Sequence, residues 1–307
     1  MTTADTAAER RDAPRGGLLA RHPLVFFFLL SFVFTWGYFG LFWALQLPAA
    51  LLLMGAAGPT VSAFLILAIT SGKPGVLRLL RSYVHWRVGV RWYLVTLVGI
   101  QALMFLSFVV VPGNLADFVA PDRSFVPLYL SSVPFVLFLP VPGGPVLEEG
   151  GFRGFALPRL QHLYGPLVGT LILGALWGLW HLCFFFGPVA QTGPDATFVS
   201  VSITFVLFTI GLIGLSVIMT WVLNNCGGSV LMAILAHAAF DLVQPFAALF
   251  PSTTPYYDNP VHIQGMGIAI VFSIAALIVI VFTRGRLGYD HYLQEAEEQP
   301  DLATASP

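Results

Sequence analysis

Apolar stretches of about 20 residues recur along this chain, and they leave it few ways to fold. We read eight: 23–45, 49–71, 92–112, 126–147, 166–186, 198–223, 230–249 and 263–283. A helix needs roughly 20 such residues to cross the hydrocarbon core of a bilayer. No water reaches that core, so each backbone N–H and C=O must be paired within the protein, which leaves helices as the fitting structure for runs of this length. Composition agrees. The 307 residues are 57% hydrophobic and 9% charged, with a mean hydropathy of +0.83, against about 25% charged in soluble domains. The expected fold is all-α, a polytopic membrane bundle of about eight transmembrane helices.

The fourth stretch is the least regular. Residues 140–145 read Pro-Val-Pro-Gly-Gly-Pro, a run that no uninterrupted helix passes through. A break is expected there, with a second helix from about Val146 to His162. Residues 1–22 form a polar tail, 23–283 the membrane domain, and 284–307 a tail whose Glu-, Ala- and Pro-rich end reads as disordered. The run from Pro23 exceeds the apolar core of a signal peptide and is read as a retained span. Basic residues set the orientation. Of the 14, only Arg123 falls on the outer side when both termini are cytoplasmic, as expected for a protein of the inner or plasma membrane. The segment 72–91 carries Lys73, Arg78, Arg81, Arg87 and Arg91 and is read as a positive-inside loop, with an amphipathic helix as the alternative. A net charge of −1 implies no nucleic-acid partner. Cys183 and Cys226, the only two cysteines, suit neither a disulfide framework nor a cysteine metal site.

Six ionisable side chains interrupt this apolar background: Glu148, Glu149 and Arg153, then His181, then His237 and Asp241. Each costs several kcal/mol in hydrocarbon, by estimates from about 2.5 upward, which makes every one a candidate for function. Glu149 and Arg153 are four apart and share a helix face, a structural ion pair. Glu148 lies about 100° around the helix from Glu149 with no local partner. An acid so placed is free to take up and release a proton, as a general base must. His237 and Asp241 are also four apart, and a hydrogen bond between them would fix the imidazole tautomer. A rise of about 1.5 Å per residue puts Glu148 and His181 roughly 21 and 24 Å from the cytoplasmic ends of their helices. His237 lies only about 12 Å from its own, unless the turn at 224–228 is sunk. Convergence in one cytoplasm-facing cavity is permitted.

These groups stand as Glu148-Glu149-Gly150-Gly151-Phe152-Arg153, Trp177-Gly178-Leu179-Trp180-His181 and His237-Ala238-Ala239-Phe240-Asp241. In that order, over about residues 125–250, the chain resembles the CAAX-prenyl-protease-like (CPBP, or Abi) family of intramembrane endopeptidases. Its signatures are E-E-x-x-x-R, F-x-x-x-H and H-x-x-x-N or H-x-x-x-D. Trp177 replaces the usual Phe, expected as a change of packing, and Asp241 stands where prenyl-protein proteases carry Asn. The resemblance implies an endopeptidase acting on membrane-embedded or lipidated proteins or peptides, with a candidate catalytic set of Glu148, Glu149, His181, His237 and Asp241. Glu148 and His181 would activate water, and His237 with Asp241 would steady the oxyanion. An ionised Asp241 would repel that oxyanion, so it would have to be protonated, orient His237 or help hold a cation. Two His and one carboxylate also form a catalytic zinc set, here Glu148, His181 and His237. A metal-free Glu/His mechanism fits equally, and the helical H-E-x-x-H motif is absent. Two other classes remain: a membrane binding or bacteriocin-immunity protein of the same family, and an ion-coupled transporter.

Overall fold

The computed structural model describes residues 17–138, 144–186, 197–250 and 263–298. The described residues are helical or irregular, with no strand among them. Among the described residues six helices are long and apolar enough to cross a membrane: Pro23–Ala44, Val90–Val109, Pro166–Phe186, Phe198–Asn224, Val230–Ala247 and Gly265–Thr283. The all-α membrane bundle is the one expected from sequence, with six such helices among the described residues against the eight expected spans.

The other two apolar stretches depart from a plain span. Residues 49–71 split into a 3-10 helix, Ala49–Ala57, and helix α2, Gly58–Thr70, which Pro59 opens. Proline belongs at this first turn because its missing N–H is unpaired there anyway. In the fourth stretch the described residues form the helix Phe125–Phe138 and the start of a second from Gly144. Most of the expected break at 140–145 lies outside the described residues.

In chain order, α1 is Pro23–Ala44, α2 is as above, α3 is Gly72–Tyr83, α4 Val90–Val109 and α5 Phe125–Phe138. Next come α6, Gly144–Gly151, and α7, Leu157–Tyr164, joined through a π-helical turn at Phe152–Ala156. Then follow α8, Pro166–Trp180, α9, Leu182–Phe186, α10, Phe198–Asn224, and α11, Val230–Asp241. Helices α12, Ile263–Thr283, and α13, Tyr289–Glu298, complete the series. Helix α10 packs against α8 and α12, α2 against α1 and α6, and α11 against α6 and α4.

Small residues allow these approaches. A Cβ on Gly174 would lie 2.9 Å from the Ile213 backbone, and one on Gly178 2.5 Å from the Thr209 side chain, so this pair is the α8–α10 seam. Hydroxyls inside the helices return to carbonyls one turn back, as in Ser31 Oγ to Phe27 O (2.7 Å) and Thr170 Oγ1 to Pro166 O (2.6 Å). They thereby avoid an unpaired polar group in an apolar interior.

Two parts of the sequence reading change. Residues 72–83, read as loop, form α3, with Leu79 buried and Leu77 and Leu80 exposed beside the basic residues. Residues 289–298, placed in a disordered tail, form α13. Tyr289 and Tyr292, three apart, are buried along its inner side, and that burial offsets the cost of ordering a charged helix.

Candidate active site

The first and third motifs meet in a buried polar cluster, and Trp177 of the second motif bonds into it. Helix α6 carries Glu148 and Glu149, with 3% and 0% of their surfaces exposed, and the π turn after it carries Arg153, at 1%. Pro158 accounts for the turn. In an unbroken α-helix its ring would meet the carbonyl four residues back, and the wider turn relieves this while keeping Arg153 within reach of Glu149.

Arg153 Nη1 donates to Glu149 Oε1 at 3.0 Å, as the four-residue spacing predicted. Its Nη2 donates to Ser216 Oγ on α10 at 3.0 Å, and its guanidinium carbon lies 3.9 Å from the centre of the Trp177 ring. Removing one member of such a buried pair strands the other, at a cost of about 3–5 kcal/mol.

His237, 4% exposed, reaches across from α11. Its Nδ1 lies 2.7 Å from Glu149 Oε1. A carboxylate oxygen accepts, so Nδ1 carries the proton. Its other nitrogen, Nε2, is 3.4 Å from Asp241 Oδ2, beyond a good N–H···O distance. The tautomer is therefore set by Glu149 and not by Asp241, the partner expected from spacing. Glu149 thus neutralises Arg153 and orients His237 at once. Asp241 sits at the last turn of α11 with 35% of its side chain exposed.

His181 closes α8, and its Nδ1 lies 2.8 Å from the Trp177 carbonyl. A carbonyl only accepts, so this nitrogen donates and Nε2 carries the lone pair of the neutral ring. Trp180, Phe184 and Phe208 surround it, with ring centroids 4.8, 5.7 and 5.1 Å away. Helix α1 fastens the same region, since Trp36 Nε1 donates to the Trp180 carbonyl at 3.0 Å.

Trp177 is the contact that joins the motifs. Its Nε1 donates to Glu148 Oε2 at 3.0 Å, and its ring meets that of His237 edge-on at 5.0 Å. Read from sequence as a packing substitution, it is fully buried and makes polar bonds. Four further residues support the site. Ser216 holds Arg153. Gln101, a buried amide in α4, donates to the Ala239 carbonyl between His237 and Asp241, and Tyr129 Oη donates to Gln101 Oε1 at 3.1 Å. Tyr83 Oη donates to the Val146 carbonyl at 3.1 Å, under the helix that carries the glutamates. Gln101 was recognisable in advance as an amide inside an apolar span; the others were not.

The zinc set considered above does not form a ligand set as these side chains lie. Both nitrogens of His237 face carboxylates. Among the described residues no three His, Cys, Asp or Glu side chains are arranged to hold an ion.

Comparison with known proteins agrees with the motifs. Residues 130–243 match the family described as type II CAAX prenyl endopeptidase Rce1-like. Over 134 residues the chain is 25% identical to CAAX prenyl protease 2 of Methanococcus maripaludis. That stretch covers 43% of this chain and 45% of the relative, so the match spans less than half the relative's length. Every motif residue, from Glu148 to Asp241, lies inside the matched segment. Over that segment the chain is similar to the Rce1-like, CPBP family of CAAX prenyl endopeptidases, and its apolar helices mark it as an integral, multi-pass membrane protein.

Proposed function

We propose that the chain is an intramembrane endopeptidase that hydrolyses a peptide bond in a membrane-associated, lipidated protein or peptide, in the cell membrane and from its cytoplasmic side. One observation carries the reading. Glu148, His181 and His237 come from three separate helices, and one buried residue, Trp177, touches all three.

In this mechanism water sits between Glu148 and the lone pair of His181 Nε2, and gives a proton to one of them as its oxygen attacks the scissile carbonyl carbon. The carbonyl π pair moves to oxygen. Here His237 acts as the imidazolium, with carboxylates facing both of its nitrogens: its Nδ1–H stays on Glu149, and its Nε2–H donates to that oxyanion. As the tetrahedral intermediate collapses, the C–N bond breaks and the stored proton passes to the leaving amine. Asp241 faces Nε2 and steadies its proton before substrate arrives. The side chains as they lie offer no ready metal set, so no step runs through an ion.

The test uses protein reconstituted in liposomes with farnesylated and unmodified peptides. The expected result is cleavage by the wild type, a loss of about 100-fold or more in Glu148→Gln and His181→Ala, and a similar loss in His237→Ala. Metal content measured on the same samples decides whether an ion is present. Cleavage that survives Glu148→Gln overturns the mechanism. Peptide binding without turnover would point to an immunity-type protein, and proton flux without cleavage to a transporter.

A further inference from the structure

We propose that Trp177 is a positioning residue that determines which oxygen of Glu148 handles the proton. The inference rests on the peptidase reading above.

An indole nitrogen donates and never accepts. With Trp177 Nε1 on Glu148 Oε2 at 3.0 Å, Oε2 is held as an acceptor. A proton on Oε2 would weaken that bond, so the proton that Glu148 takes from water goes to Oε1. The same residue fixes its other neighbours. Its carbonyl takes the Nδ1 proton of His181 and leaves Nε2 as the basic nitrogen. Its face lies under the Arg153 guanidinium at 3.9 Å, and its edge meets His237 at 82°. Complete burial keeps water from the indole N–H, so loss of the bond to Glu148 would leave an unpaired buried donor. A phenyl ring here keeps the contacts with Arg153 and His237 and lets Glu148 rotate.

The experiment compares wild type with Trp177→Phe and with a benzothienyl analogue of tryptophan at 177, which keeps the bicyclic shape and lacks the N–H. The first readout is infrared: the Glu148 carboxyl band, isolated as wild type minus Glu148→Gln, is recorded in each Trp177 background. The second is peptide cleavage. We expect the band to move in both replacements. We expect kcat to fall about 10- to 100-fold, the size of a lost hydrogen bond to a charged group, with KM within about 2-fold. An unmoved band overturns the proposal whatever the kinetics. So does a benzothienyl variant with wild-type kcat, because the ring alone then suffices. If the wild type cleaves nothing, the peptidase reading fails, while the infrared band still decides the Trp177–Glu148 contact.

Discussion

Arg153 shows how the buried charges are kept. Its guanidinium has a carboxylate on one side, a hydroxyl on another and an aromatic face beneath it. Replacing Ser216 with Ala leaves Nη2 without its partner, beside a buried Nε that already has none, and should cost about 1–3 kcal/mol. Arg153→Met should cost more, about 3–5 kcal/mol, because it strands Glu149. Thermal unfolding in detergent measures both, and equal shifts would show that the Ser216 contact dominates. The local part of this arrangement was readable beforehand. A four-residue spacing puts Glu149 and Arg153 on one face whatever the rest of the chain does. The bonds from Glu149 to His237, Trp177 to Glu148 and Arg153 to Ser216 join residues 88, 29 and 63 positions apart. Spacing within a helix has nothing to say about them.

At the scale of elements, α6 is held from below. Tyr83, the last residue of α3, reaches past Gly150 to the Val146 carbonyl, and Thr60 Oγ1 lies 3.2 Å from its hydroxyl. A methyl group on Gly150 would run into the Tyr83 hydroxyl and ring. Gly150→Ala should therefore displace the turn that carries Glu148 and Glu149, lowering cleavage at least about 10-fold. Pairing it with Tyr83→Ala should recover much of the loss, which comparison of the single and double variants measures. That α3 is a helix was obscured by its opening Gly72-Lys73-Pro74-Gly75, which reads as a turn. Helix α13 was obscured by its acidic residues, although Tyr289 and Tyr292 supply a narrow apolar stripe. The membrane helices themselves were legible because apolar length alone demands them.

Across the whole molecule, α13 docks beneath the turn at 224–229 that leads into α11. Ser229 Oγ donates to the His85 carbonyl at 2.6 Å, and the His85 ring and Glu295 both lie against Gly227. Burial holds His85 below the ordinary histidine pKa of 6.5, and the nearby Glu295 only partly offsets this. The folded chain therefore binds this proton less readily than the unfolded one. The fold is firmest above pH 6.5 and loses stability as pH falls below that value. Unfolding followed between about pH 7.5 and 5.5 should show that loss, and His85→Gln should flatten it.

Helix α1 carries Val25, Leu29, Val33, Leu41 and Trp43 exposed, yet through Trp36 it grips the peptide carbonyl next to His181. A helix bathed in lipid tilts to match the thickness around it, and here such a tilt pulls on the backbone of the site. On the peptidase reading, acyl-chain length therefore becomes an input to turnover. In vesicles of phosphatidylcholine with chains from about 14 to 22 carbons, turnover should pass through a maximum, and Trp36→Phe should broaden it, uncoupling the reaction from the girth of the membrane.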